Sequence, residues 1–247
     1  MGKEYGNPPV VSVACEFRFL PTDNWDMTVP GAVWEALREV YPTRRQDTQL
    51  EYQLAQRPDA IQQSVTQTDW LAMSRKDPKG EVRVARDRLV VIRERPYPAW
   101  PAFREEVLSA LGIYNAAASP GALARVGLRY VNQLDIPQET IQLEDFFDFY
   151  LASGPDLPDR LGAFNIMADY IFDDMKHVLR LHMSPTLPPS ESTCSFTFDL
   201  DYFTAQVPQL SVEQCVDWLE EAHARVEDAF EASIKDSLRE LFVEGTS

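Results

Sequence analysis

The sequence predicts an α+β fold, a curved antiparallel sheet with helices packed on one face and a long C-terminal helix. Three observations predict it. Stretches of apolar-polar alternation recur along the chain, as in "VVSVACEFRF". Stretches with apolar residues three and four apart stand between them. The order of the two kinds reads β-α-β-β-β-α on both sides of the small-residue segment "NAAASPG". The expectation is one globular domain, 1–247, built from two pseudo-repeated halves, 8–115 and 122–242, joined by a linker at 115–121. No residue-level self-similarity accompanies the repeat, which rests on element order alone.

The elements follow in order. In 10–19, Val11, Val13, Cys15, Phe17 and Phe19 alternate with polar residues, the pattern of a half-buried strand. "GAVWEALREVY" then spaces Val33, Trp34, Leu37, Val40 and Tyr41 as one helix face. Strands are predicted near 61–74, 80–86 and 88–95, the last two joined by a tight turn at Ala85–Asp87. "WPAFREEVLSALGIY" forms the second helix, with Pro101 tolerated in its first turn and Gly112 near its end. The second half offers a strand at 124–135, a helix at 142–152, and strands near 164–173, 177–184 and 193–202. Ser211 and Gln214 have capping-box spacing, and Val212, Cys215, Val216, Leu219, Val226, Phe230, Ile234, Leu238 and Leu241 make the stripe of a terminal helix over 211–242.

Composition narrows the function. A hydrophobic content of 45% supports a full core. No run reaches a membrane span, and "MGKEYGNPPV" lacks the apolar core of a signal peptide, so the expected compartment is the cytoplasm, without membrane contact. Cys15, Cys194 and Cys215 show no paired spacing and read as reduced core residues. His177, His182 and His223 form no metal-binding pattern; His223 reads as an edge residue of the helical stripe. A formal charge of −16 opposes general nucleic-acid binding. Arginines nevertheless gather in "RVARDRLVVIRER", including Arg93 and Arg95, and recur at Arg125 and Arg129.

Common catalytic patterns are missing: the ten glycines form no phosphate-cradling loop, and no GxSxG elbow occurs. Asp199 and Asp201 in "FTFDLDYF" share a strand face and, with Glu16, Asp169 and the arginines, outline a metal-dependent phosphate-ester hydrolase. The alternating Glu-x-Glu-x-Lys strand of tunnel-type triphosphate hydrolases is absent, since Glu16 is followed only by Arg18. In "RVGLRYVNQLDIP", alternation separates Arg125, Gly127 and Arg129 from Val126, Leu128 and Tyr130. Gly127 would leave a notch between two guanidinium groups, suited to a carboxylate or phosphate; the competing reading pairs both arginines with acids on neighbouring strands. "RPYPAW" fixes Tyr97 and Trp100 between prolines, as a buried joint of strand and helix.

The ordered set "NPPVVSVACEFRF", "VARDRLVVIRERPYPAWPAF", "RVGLRYVNQLDIP" and "AHARVEDAFEASIKDSLRELF" resembles a sporadically distributed prokaryotic family of proteins about this long that carries no functional name. The resemblance covers nearly the whole chain. It implies a stand-alone protein of accessory or mobile-element loci, of the kind that serve host defence or toxin neutralisation, and brings no catalytic residues. The leading reading is a non-catalytic adaptor, inhibitor or antitoxin-like protein with no cofactor, no metal and no catalytic residue. It would bind another protein, such as a toxin or effector from a neighbouring gene, through Arg93, Arg95, Arg125 and Arg129. The alternatives are the phosphate-ester hydrolase built on Asp199 and Asp201, and a saddle-like sheet that binds or mimics nucleic acid.

Overall fold

In the computed structural model the described residues are 5–57, 60–75, 79–154, 156–157, 161–173, 175–207 and 210–243, with the backbone alone for 51–57 and 60–64. The outer limits of the expected domain span, 1–4 and 244–247, lie outside them. The chain makes β1 (Val10–Phe19), α1 (Val29–Leu37), β2 (Thr43–Arg57), β3 (Ala60–Ser74), β4 (Gly80–Ala85), β5 (Arg88–Glu94) and α2 (Trp100–Ala118). It continues with β6 (Leu123–Ile136), β7 (Ile166–Phe172), β8 (His177–Pro185), β9 (Cys194–Thr204), α3 (Cys215–Ser233) and α4 (Asp236–Val243). The nine strands form one curved antiparallel sheet in the order β2-β3-β4-β5-β1-β6-β9-β8-β7, an α+β fold.

Alternation decides which face is covered. Val13, Cys15 and Phe17 of β1 are fully buried, and the register Val13↔Tyr130 and Tyr130↔Leu200 carries the same face across β6 and β9. α2 lays Phe103, Val107, Leu111 and Tyr114 on it, with Tyr114 stacked on Phe19. α3 adds Cys215, Trp218, Leu219, Ala222 and Val226. One hydrophobic cluster joins residues of all these elements, from Val13 to Phe242. The opposite face carries no helix among the described residues.

The element order departs from the expected repeat at four places. A strand unforeseen in the sequence, β2, pairs with β3 over its whole length of 15 residues. Its first seven residues, "TRRQDTQ", are polar on both faces, so there the partner strand specifies it and the local pattern does not; Leu50, Tyr52 and Leu54 alternate in the remainder. The helix expected at 142–152 is replaced by a single 3-10 turn at Leu143–Asp145, after which Phe147 bridges to Ile234. Phe and Asp are modest helix formers, and backbone bonds to the C-terminal segment take their place. That segment, expected as one helix, breaks at Ile234, which is extended at φ −120° and ψ 154°. The linker expected at 115–121 is helical through Ala118 because three alanines prolong α2 until Ser119 caps it at φ 41°. Outward from the β1–β6 seam the order is β5, β4, β3, β2 on one side and β9, β8, β7 on the other. No helix among the described residues is long and apolar enough to cross a membrane.

Candidate functional site

The register places Glu16, Arg18, Arg125, Arg129, Asp199, Asp201, Arg180 and Asp169 together on the open face, across β1, β6, β9, β8 and β7. Each acid is engaged. Arg129 grips Asp199 side-on, with Nε donating to Oδ1 at 2.8 Å and Nη2 to Oδ2. Arg125 donates from Nη1 to Glu16 at 2.6 Å and from Nη2 to Asp201 at 3.2 Å. Arg180 holds Asp169 through Nε and Nη2 at 2.7 and 2.8 Å. The guanidinium of Arg125 also lies over the Phe203 ring, 4.5 Å from its centre. Farther along, Arg45 reaches Asp47 and Glu81, and Arg83 also reaches Glu81.

Two of the arginines stand higher than the acids they hold, whereas Arg180 and Asp169 are equally exposed and Arg125 lies as deep as Glu16 and Asp201. Arg129 is 54% exposed above an Asp199 that is 10% exposed, and Arg45 is 48% exposed above a Glu81 at 16%. Burial pushes the Asp201 carboxyl above its usual range against the pull of Arg125 and Arg129. Its bond to Asp199 holds Arg129 protonated more firmly than usual. A face on a chain of net charge −16 therefore presents N–H donors to solvent, with Arg129 standing over its carboxylate and Arg180 level with its own.

Of the four arginines singled out in the sequence, only Arg125 and Arg129 share this face. Arg93 pairs in register with Val13, on the helix-covered side, where it is buried and bonded to Glu106 of α2. The alternation that buries Leu89 and Val91 carries it inward. Arg95 lies past the end of β5 and donates to the carbonyls of Val10 and Pro9. The notch expected at Gly127 is filled: a Cβ there would meet Arg125 Nη1 at 2.7 Å, because Arg125 folds back over the glycine to reach Glu16 and Asp201. Asp199 and Asp201 share a face, as their spacing requires, but on neighbouring arginines; no group of three His, Cys, Asp or Glu side chains among the described residues is arranged to hold a metal ion.

The aromatic joint is half-buried, less enclosed than its prolines suggested. Tyr97 shares a hydrogen bond with Tyr130, hydroxyl to hydroxyl at 2.8 Å. Trp100 stacks on His223 with ring centres 4.2 Å apart and donates from Nε1 to Glu220. His223 also meets the Tyr130 hydroxyl through Nδ1 at 3.2 Å and Glu227 through Nε2 at 3.2 Å. Apart from Glu227 four residues on, nothing local in the sequence marks His223 beyond its position beside the stripe; its ring partners come from β6 and the start of α2. Cys15 and Cys215 are buried thiols and Cys194 is half-buried, all three unpaired.

No family model matches the chain, and no curated protein does. Among solved structures, the S. pombe Pct1 RNA triphosphatase in complex with the Spt5 CTD aligns at 8% identity over 96% of this chain and 87% of that one. Its TM-score of 0.13 carries no argument about fold or function.

Proposed function

We propose that the protein is a non-catalytic, cytoplasmic binding protein of adaptor, inhibitor or antitoxin type, serving an accessory prokaryotic locus, and that it receives an acidic segment of another protein on the open face of its sheet. The observation that carries this reading is the pair of partly exposed guanidinium groups, Arg129 and Arg180, that flank Asp201. Arg129 and Arg180 each spend Nε and Nη2 on an acid and keep Nη1 without a partner among the described residues. Both flank Asp201 in register, which sets them two strand spacings apart, about 10 Å. Carboxylates of a bound segment would meet donors already oriented by their paired acids, as charge-assisted hydrogen bonds require.

The test must not strand Asp199. Arg129→Ala alone would leave that buried carboxylate without its hydrogen bonds, at a cost of about 1–3 kcal/mol that would mimic lost binding. The double variant Arg129→Gln/Asp199→Asn removes both charges in place. A glutamate-rich peptide titrated into isotope-labelled protein should shift open-face resonances of β6 and β8, weaken as salt is added, and bind the double variant at least about tenfold more weakly at equal melting temperature. Shifts confined to another surface, or equal binding by the double variant, would refute the site. Phosphate release from a nucleoside triphosphate with magnesium or manganese, lost in Asp199→Asn, would refute the non-catalytic reading and favour the hydrolase.

A further inference from the structure

A cavity of about 160 Å³ lies on the helix-covered side, walled by Pro8 and Pro9, Tyr97, Tyr130, Val226 and Phe230. Its outer wall is fixed at both ends. The Asn7 N–H donates to the Phe242 carbonyl at 3.0 Å, and the Pro9 carbonyl accepts from the Gln133 N–H at 3.0 Å. Tyr5 closes the rim, with its ring edge-on to Phe242 and its hydroxyl on Glu231. The volume matches that of an engineered apolar cavity of about 150 Å³ that takes up benzene.

The polar groups on the wall run in one direction. The Glu227 carboxylate lies 3.2 Å from His223 Nε2, and its charge favours the imidazole proton on that nitrogen; the bare Nδ1 then accepts from the Tyr130 hydroxyl, whose oxygen accepts from Tyr97. Burial lowers the imidazole to about 4, so this arrangement persists at neutral pH. The chain ends at Tyr97 Oη, which donates and receives nothing from the described residues. Asn132, buried on the same wall, spends one of its two amide N–H groups on the Phe198 carbonyl. At the end of the chain Tyr97 Oη thus offers an acceptor, and Glu227 and Glu231 at the rim repel anions.

We propose that this cavity is a binding site for an uncharged single-ring molecule carrying one O–H or N–H donor, which it holds between Val226 and Phe230 with the donor on Tyr97. It is independent of the open face, which lies across the sheet. Calorimetric and ligand-observed NMR titrations with phenol, toluene and benzoate test it. Phenol should bind one-to-one and saturably, toluene about tenfold more weakly for want of one hydrogen bond, and benzoate not at all. Tyr97→Phe, which deletes a single oxygen, should reduce phenol to the toluene level at unchanged melting temperature, and Val226→Phe should abolish both. Absence of saturable phenol binding at millimolar concentration, or equal phenol affinity in wild type and Tyr97→Phe, would overturn the assignment.

Discussion

His223 is neutral down to about pH 4 because burial between Trp100 and Tyr130 outweighs the pull of the Glu220 carboxylate. In the unfolded chain the same imidazole takes up its proton near pH 6.5. Between these values the unfolded state holds more protons than the native one, so this residue makes stability fall as pH drops from about 6.5 to about 4. His223→Gln removes that contribution. Urea denaturation across the interval should show the wild type losing stability more steeply than the variant, whereas parallel curves would refute the assignment. Asp201, whose carboxyl burial pushes up, is present in both proteins and cancels in the difference. The sequence placed His223 beside the apolar stripe, which is where it sits. Its ring partners come from residues 93 and 123 positions away, and no local spacing encodes them.

At the scale of elements, the junction of α3 and α4 shows what pattern reading misses. The spacing of four between Phe230, Ile234 and Leu238 passes straight through Ile234, with no glycine or proline to mark a break. The break is imposed from outside. Asp148 N–H donates to the Ser233 carbonyl at 2.9 Å, and Lys235 N–H to the Phe146 carbonyl at 2.9 Å, while Lys235 Nζ takes the Glu144 carbonyl at 2.6 Å. Ile234 itself stays buried. Ile234→Ala should therefore cost about 3 kcal/mol, as for a buried aliphatic residue, and not the few tenths expected on an exposed helix; equilibrium denaturation reads the difference. Where a strand has one buried face, as in "RVGLRYVNQL", alternation alone placed both Arg129 and Tyr130. In the first half of β2 the absence of such a face left nothing to read, and the alternation of Leu50, Tyr52 and Leu54 covers only five residues.

For the molecule as a whole, the seam matters most. β1 is held by β5 on one edge and β6 on the other, so the two halves share a sheet and a continuous core. A fragment ending near Ser119 would free the inner edge of β1, where Val13 and Phe17 now pair in register with Tyr130 and Val126 of β6. Calorimetry should show one transition for the full chain and no cooperative unfolding for that fragment. Two separated transitions would mean that the halves are independent domains.

The same placement bears on how the chain is made. β1 precedes every other described strand in synthesis, yet its neighbours are Arg88–Glu94 and Leu123–Ile136. At about 5–20 residues per second, β1 waits about 6–25 s on the ribosome before β6 is translated. Through that interval the β6-side edge of β1 is unpaired on a nascent polypeptide, a template for wrong strand pairing until its second neighbour emerges.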